Sequence, residues 1–196
     1  RKVVHDCDVQ LPFTNEALPK GLENKQFDSV VFAQGANING SAMQTGTYEL
    51  TELFGANVVV IAESIAALMA HNAISEGGRV VILSSLWEQF TRQEKFAYSV
   101  TKAAVGGLVR SLAVDLGRQK KILVNGILPG IVNSPMVART LSPEQVASIA
   151  EQTPGGELST PVDVANSVYM FGSALNTGIS GQSIFVDRGF SIARTI

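Results

Sequence analysis

The stretch FAYSVTKAAVG, residues 96–106, begins an alanine-rich segment whose composition predicts a long helix. Tyr98 and Lys102 stand four residues apart, so that helix places both side chains on one face. An ammonium group beside a phenol stabilises the phenolate and lowers the pKa of the tyrosine, which would let the pair transfer protons near neutral pH. A Tyr and a Lys at this spacing also occur on ordinary amphipathic surfaces. The surrounding sequence therefore has to decide between the two interpretations.

Short apolar runs alternate with longer helical segments on both sides of this stretch. The runs are apolar throughout, which is typical of strands that helices cover on both faces. The alternation therefore predicts an α/β fold with a mainly parallel sheet. The predicted strands are residues 3–5, 29–32, 79–84, 122–127 and 183–186, and the predicted helices are residues 15–22, 47–71, 97–117, 143–152 and 161–171.

One segment, residues 58–61, has the composition of a strand because all four residues are β-branched. It continues into the alanine-rich residues 62–69, and the combined length exceeds that of an ordinary strand, so we assign it to a helix. Two later helices begin with capping boxes, at Ser142 and at Thr160, each followed directly by a proline.

The composition excludes several classes of protein. The chain has 196 residues, of which 45% are apolar, and 15 basic against 17 acidic side chains give a formal net charge of −2. With a mean hydropathy of +0.20, this balance excludes a disordered chain. The one basic cluster, at Arg118, Lys120 and Lys121, predicts a helix end rather than a nucleic-acid surface. We therefore expect no nucleic-acid partner.

The single cysteine, Cys7, excludes an internal disulfide and a multi-cysteine metal site. This usage favours a reducing compartment, and we expect a cytoplasmic protein. The most apolar stretch, residues 58–70, contains two polar residues and is too short to cross a bilayer, so we expect no transmembrane helix and no membrane partner. The two histidines, His5 and His71, are far apart in sequence and predict no metal site.

Three further features accompany Tyr98 and Lys102. Ser85 follows a predicted strand and lies thirteen residues before Tyr98, and its hydroxyl could donate a hydrogen bond to a substrate carbonyl oxygen. Asn57 lies among apolar residues of a predicted helix, where its amide needs a partner. A Pro-Gly turn at residues 129–130 follows the next strand along the chain. Ligands of parallel sheets bind at the carboxyl ends of the strands, where we expect a site.

In this order and at these spacings, the motifs resemble those of the short-chain dehydrogenase/reductase family, of its compact, classical type, and in particular those of 3-oxoacyl-[acyl-carrier-protein] reductases. The likeness runs from about Asp8 to Gly189. It implies a doubly wound, Rossmann-like parallel sheet and an oxidoreductase that transfers a hydride between NAD or NADP and a carbonyl or alcohol substrate. It also implies a single domain over residues 1–196 that lacks its first strand–helix units.

The resemblance implies a catalytic role for four residues. Tyr98 would act as general acid/base and exchange a proton with the substrate oxygen, while Ser85 orients and polarises that oxygen. Lys102 would lower the pKa of Tyr98 and bind the nicotinamide ribose. Asn57 would hold a water that connects Lys102 to solvent.

The resemblance also implies a set of cofactor-binding residues. Asp8 and Val9 would contact the adenine, and the turn at residues 129–134 would hold the nicotinamide carboxamide. Where the family has Asn-Asn-Ala-Gly, residues 32–35 keep only the final glycine, so backbone contacts to the ribose are the ones expected to survive. The implied cofactor-binding residues are Asp8, Val9, Ala33, Gly35, Tyr98, Lys102, Pro129, Gly130, Val132 and Ser134.

One motif of the family is absent, since no glycine-rich Thr-Gly-x-x-x-Gly-x-Gly loop occurs in the sequence. That loop binds the pyrophosphate, and the two strand–helix units around it correspond to roughly 50 residues. Together with the altered residues 32–35, its absence raises an alternative, a catalytically silent relative that serves as a scaffold or binding protein. An extended-type sugar epimerase or dehydratase also has Tyr-x-x-x-Lys, but the Pro-Gly turn favours the compact type.

The two longest predicted helices indicate self-association. Residues 47–71 and 97–117 carry more apolar and small residues than one buried face requires, so a monomer would expose an apolar patch. Because the family pairs these helices across a twofold axis, we expect a homodimer or homotetramer. The segment at residues 136–156, where the family places a lid, mixes apolar and charged side chains and favours a partly polar small-molecule carbonyl or alcohol. The choice between NAD and NADP stays open.

Two predictions concern residues between Ser85 and Tyr98. Trp87 and Phe90 would wall the substrate pocket, pack on the solvent side or form a subunit contact, and the sequence favours none of the three. Glu94 and Lys95 predict a solvated loop.

Overall fold

A computed structural model describes residue 18 and residues 21–193, apart from the side chains of Pro135, Met136 and Thr140. The predicted strand at residues 3–5 and most of the predicted helix at residues 15–22 lie outside the described residues. The last two residues of that predicted helix belong to a turn instead.

Four parallel strands form the central sheet, in the order β1–β2–β3–β4 along the sheet and along the chain. The strands are β1 (Phe27–Phe32), β2 (Ile74–Leu83), β3 (Leu123–Pro129) and β4 (Ser183–Val186). Val80, Val81 and Val124 are completely buried, as expected for strands covered on both faces. The four strands predicted within the described residues are therefore confirmed.

Helices connect the strands and cover the sheet. They are α1 (Thr47–Phe54), α2 (Val60–Ala70), α3 (Phe96–Lys120), α4 (Pro135–Thr140), α5 (Pro143–Glu151) and α6 (Pro161–Gly172). Ile61 of α2 and Val105 of α3 belong to one core cluster with the sheet, whereas Val164 and Phe171 of α6 pack with β2 and β3 in a second cluster. Cover from both sides makes the sheet doubly wound, as predicted.

The helix ends follow the sequence signals. The Ser142 and Thr160 hydroxyls accept hydrogen bonds from the third residues of their helices, which completes both predicted capping boxes. Helix α3 ends at Lys121, which adopts a left-handed conformation with φ 56°, and basic residues occupy its last turn. The basic cluster is thus a helix end, as predicted. Helix α4 and a short 3₁₀ turn, Leu86–Glu88, were not predicted.

Strand β2 begins five residues earlier than predicted. The pairing of β1 with β2 shifts between Phe27, which lies opposite Ile74, and Ser29, which lies opposite Arg79. The extra residues of β2 form a bulge that contains Gly77 at a φ of 69°. The buried Ile74 begins the strand, which continues through Gly77 and Gly78.

A π turn, Gly55–Val59, joins α1 to α2 and confirms that residues 58–61 are helical. The continuous stretch Thr47–Ala70 has 24 residues and, by length and composition alone, could cross a membrane. The sequence prediction considered only residues 58–70 and was therefore wrong about the length of the continuous apolar helix. In the structure 44% of the most apolar window is buried inside the chain, and Ile61 and Leu68 pack in the core cluster. This burial is that of a core helix.

Helix α3 packs so closely on the 3₁₀ turn that Gly106 has no room for a side chain. A Cβ at this position would lie 2.5 Å from Oε1 and 2.7 Å from Cδ of Glu88. We expect Gly106→Ala to lower the free energy of unfolding by about 1–3 kcal/mol, because the Glu88 side chain would have to move out of its enclosed position. Urea denaturation of the intact protein measures the change.

The control is Gly55→Ala, at a helical glycine whose added Cβ would meet nothing within 4 Å. Alanine there should raise the free energy of unfolding by about 0.5–1 kcal/mol. Equal gains at the two positions would contradict the packing argument.

Candidate active site

A cleft of about 780 Å³ opens at the carboxyl ends of β2 and β3, the edge at which parallel sheets bind ligands. One wall is formed by Tyr98 of α3 and by Ser85, which lies two residues after the end of β2. The opposite wall is formed by α4, α5 and the loop between them, through Val137, Leu141 and Ile149 among others. The segment predicted as a lid therefore lines this cleft.

Tyr98 and Ser85 meet in the cleft although thirteen residues separate them. Tyr98 lies in the first turn of α3, and the Ser85 hydroxyl lies close enough to its phenol to act on its pKa. Burial raises the pKa of Tyr98 above its ordinary value of 10, and the Ser85 hydroxyl opposes this only in part. The sequence predicted that Lys102 would lower this pKa, whereas burial raises it in the structure.

Lys102 lies one turn further along α3 and is almost completely buried. Its ammonium nitrogen is 5.6 Å from the centre of the Tyr98 ring and donates a 3.4 Å hydrogen bond to the carbonyl of Leu83, the last residue of β2. Burial lowers the pKa of Lys102 to about 8, and the nearby Glu88 carboxylate opposes that shift. A lysine with this pKa can exchange a proton at neutral pH.

Asn57 occupies the centre of the π turn and is buried. Its Oδ1 accepts a 2.8 Å hydrogen bond from the Ala36 N–H, and its Nδ2 donates to the Ala36 carbonyl and the Thr101 hydroxyl, each at 3.0 Å. These bonds tie the loop after β1 to α3. An added Cβ on Gly35 would lie 3.2 Å from Asn57 Oδ1 and 3.4 Å from Lys102 Nζ. Gly35 therefore lies directly against two of the four predicted catalytic residues. We call these four residues the tetrad: Asn57, Ser85, Tyr98 and Lys102.

The turn predicted to hold the carboxamide follows β3 and lines the cleft with Pro129, Gly130, Val132 and Ser134. Gly130 donates a 3.1 Å hydrogen bond to Val186, and a Cβ on it would come within 2.6 Å of Asp187 Cβ. Ser134 accepts from the Val137 N–H at the start of α4. These contacts fix the turn.

The remaining predicted cofactor residues are only partly described. Ala33 and Gly35 lie in the exposed loop after β1, which places them beside Asn57. Between them, Gln34 has a buried Nε2 with no hydrogen-bond partner among the described residues. Asp8 and Val9 lie outside the described residues, so their contact with an adenine stays a prediction.

The sequence analysis did not identify Lys95 as part of the site, although its ammonium lies beside the Tyr98 ring. Lys95 was predicted to be solvated, but only 8% of its surface is exposed and it lines the cleft together with Arg92. Nothing in the sequence signals its burial. Trp87 also lines the cleft, whereas Phe90 is exposed and contacts the Phe185 ring at a centroid distance of 5.6 Å.

The buried charge of Lys102 gives a prediction for stability. The folded protein releases the Lys102 proton near pH 8, and the unfolded chain releases it near pH 10.4. Between these values the unfolded chain binds more protons, so the cost of burying the charge is fully present below pH 8 and disappears as the pH rises. We expect Lys102→Met to stabilise the protein by at most about 3 kcal/mol at pH 7 and by much less at pH 10.

Urea denaturation of variant and wild type across this pH range measures the difference, and the exposed Lys25 provides the control as Lys25→Met. A difference for Lys102→Met that stays constant with pH would contradict the assignment.

Comparisons with known proteins show which family the chain resembles. A family model described as "Enoyl-(Acyl carrier protein) reductase" matches residues 1–191. The chain is 37% identical over 112 residues to the 3-oxoacyl-[acyl-carrier-protein] reductase FabG of Aquifex aeolicus. The matched region covers 57% of this chain and 44% of that protein. The chain is also 32% identical over 126 residues to the 7alpha-hydroxysteroid dehydrogenase of Escherichia coli K12. That matched region covers 64% of this chain and 49% of that protein.

A solved structure supports the fold. The crystal structure of a short chain dehydrogenase family protein from Francisella tularensis matches with a TM-score of 0.77 at 24% identity, over 86% of this chain and 72% of that chain. The chain spans about half the length of the curated relatives quoted above. The family model, in contrast, covers nearly all of it. The resemblance read from the sequence is therefore confirmed, and the chain belongs to the short-chain dehydrogenase/reductase family.

Proposed function

We propose that the protein is an oxidoreductase that transfers a hydride between NAD or NADP and a small carbonyl or alcohol compound, with Tyr98 as the general acid/base. The observation that carries the proposal is that Tyr98 and Ser85 line the same cleft at the carboxyl ends of β2 and β3. Two hydroxyls in one cleft can both contact a single substrate oxygen. Family membership supports the same reaction class.

The residues present fit a nicotinamide cofactor. The turn with Pro129, Gly130, Val132 and Ser134 lines the cleft beside Tyr98 and would hold the carboxamide. Gly35, which has no side chain, leaves the approach to Lys102 open for a ribose. When bound, the cofactor supplies or accepts the hydride at its nicotinamide ring.

In the reducing direction the substrate carbonyl carbon gains the hydride, and its oxygen gains a proton from the Tyr98 hydroxyl, so that the C=O bond becomes an alcohol. Burial keeps Tyr98 in its protonated form, which suits a proton donor. Ser85 orients and polarises the substrate oxygen by donating a hydrogen bond to it. The Lys102 ammonium, with its pKa of about 8, stabilises the tyrosinate and returns a proton to it.

Asn57 would complete the proton supply by holding a water next to Lys102. Its position next to Gly35 and Lys102 supports this role. Its three direct hydrogen bonds add a structural role, because they hold the loop after β1 in place.

Several further parts of the proposal extend the family resemblance. The chain would form one domain together with the strand–helix units that carry the glycine-rich loop, and it would work in the cytoplasm. The cleft combines the apolar Val137, Leu141 and Ile149 with the charged Glu144, which supports a partly polar substrate. The alternative, a catalytically silent scaffold, draws support from the unpartnered Gln34 amide in the altered loop.

Replacing the proposed acid tests the function. In the intact protein, Tyr98→Phe should lower kcat at least about 100-fold, because the general acid is lost, and should leave cofactor affinity unchanged. Steady-state reduction of simple ketones, keto sugars and ketoacyl thioesters with NADH or NADPH measures kcat, and calorimetry measures cofactor binding.

Tyr169→Phe is the matched control, since Tyr169 is 65% exposed on α6, far along the chain from the tetrad. Full turnover by Tyr98→Phe would overturn the assignment. A wild type that binds cofactor and reduces none of these compounds would favour the scaffold.

Self-association is the other expectation to be tested. One face of α3 presents Val100, Ala103, Gly107, Ser111 and Val114 to solvent, and Val114 is 55% exposed. We expect light scattering of the intact protein at micromolar concentration to give a homodimer or homotetramer mass. Val114→Glu should shift that mass towards the monomer by placing a charge in the pairing face.

Val162→Glu, at a 64% exposed valine of α6, should leave the mass unchanged. A monomer mass for the wild type would refute the expectation.

A further inference from the structure

Lys95 is a buried lysine that forms no ion pair with any of the described residues. Only 8% of its surface is exposed, and its ammonium nitrogen donates to Asn37 Oδ1 at 3.0 Å and to Asn39 Oδ1 at 2.7 Å. Both acceptors are neutral amides. The three ion pairs found among the described residues involve other side chains. Buried charges are normally paired, so the Lys95 ammonium is suited to an anion that the described part of the chain does not provide.

Among the described residues, the charged group that shifts the pKa of Lys95 is a second cation, Arg92. Burial lowers the pKa of Lys95, and repulsion from Arg92 lowers it further. Arg92 lines the same cleft, with its guanidinium 5.9 Å from the centre of the Trp87 ring. The cleft also contains the Glu144 carboxylate, which accepts a hydrogen bond from the Ser142 hydroxyl and faces solvent. The Lys95 ammonium therefore shares the cleft with one cation, Arg92, and with the solvent-exposed Glu144 carboxylate.

The backbone holds Lys95 in this position. The residue before it, Glu94, adopts a left-handed conformation with φ 62°, which is unfavourable for glutamate. Gly40 bridges Lys95 as an isolated parallel pair, donating to the Glu94 carbonyl at 3.1 Å and accepting from the Phe96 N–H at 3.2 Å. A strained residue persists when its surroundings fix it, and such strain is concentrated at binding sites.

The ammonium nitrogen of Lys95 lies 5.3 Å from the centre of the Tyr98 ring. An anionic group bound to Lys95 would therefore lie beside the Tyr98 ring, in the cleft that Ser85 also lines. A substrate that fills both positions must carry its anionic group close to its carbonyl.

We propose that Lys95, with Arg92 beside it, binds an anionic oxygen group of the substrate, a carboxylate or a phosphate, attached within a few bonds of the reacting carbonyl. The part of the inference that concerns the reacting carbonyl rests on the proposed function. The anion site itself stands on the burial, the neutral partners and the charges around Lys95.

Trp87 lines this cleft and is the only tryptophan of the 196-residue chain, so its fluorescence reports on the site. We would titrate the intact protein with acetoacetate, with its uncharged methyl ester and with dihydroxyacetone phosphate. We expect one of the two anions to change the emission saturably and the ester to bind at least tenfold more weakly. The better anion identifies the carboxylate or the phosphate as the group that is recognised.

The variant Lys95→Met should weaken binding of that anion by roughly 10- to 100-fold, the effect of losing one hydrogen bond to a charged group. Lys25→Met removes the same charge from an exposed position and should bind as the wild type does. Lys95→Arg keeps the charge and should bind more tightly than Lys95→Met. Equal affinity of the wild type for the acid and its ester, or equal anion affinity in Lys95→Met, would overturn the inference.

A measurement on the wild type covers the case in which the variants do not fold. The preferred anion should raise the Tm in a concentration-dependent way and the ester should not, at equal ionic strength. No difference between them would also overturn the inference.

The two proposals fail in distinguishable ways. Selective anion binding that depends on Lys95, with no hydride transfer to any carbonyl tested, would refute the proposed function and leave the anion site standing. Hydride transfer with the same KM for acid and ester, unchanged in Lys95→Met, would leave the function standing and refute the anion site.

Discussion

The amide of Asn57 connects three segments that are distant in sequence. It bonds to the Ala36 backbone through both its oxygen and its nitrogen, and it donates to the Thr101 hydroxyl on α3. An amide can make these bonds only from a fixed position, and the π turn provides that position within an otherwise regular helical stretch. Hydrogen bonds from this one side chain join the loop after β1 to the first turns of α3.

The same enclosure sets the electrostatics of the site. Burial raises the pKa of Tyr98 and lowers those of Lys95 and Lys102, so each of the three groups is driven towards its neutral form. The carboxyl of Glu88 follows the same rule, since burial raises its pKa. Burial brings the pKa of Lys102 to about 8, close to neutral pH, and holds Tyr98 in its protonated form. The low exposure of the tetrad therefore contributes to its chemistry as well as to its geometry.

The fold was predictable where apolar patterning and end signals agreed. Strand 183–186 and the capped starts of α5 and α6 coincide with their predicted positions, because buried strands and capping boxes are encoded locally. The early start of β2 was not predictable, since its bulge depends on pairing with β1. Within the site, spacing and family resemblance identified Ser85 and Tyr98. The burial of Lys95 depends on Asn37 and Asn39 from a loop more than fifty residues away, and no local pattern records it.

The contact between Gly106 and Glu88 has a consequence for how sequences of this fold can vary. The two residues are eighteen positions apart. The side-chain carboxyl group of Glu88 nevertheless occupies the volume that a side chain at position 106 would fill. A larger residue at position 106 is accommodated only when the Glu88 side chain moves or is replaced by a shorter one, so we expect the pair to covary across the family. Substitutions at the two sites are then energetically coupled, and a change at position 88 alters which residues position 106 tolerates.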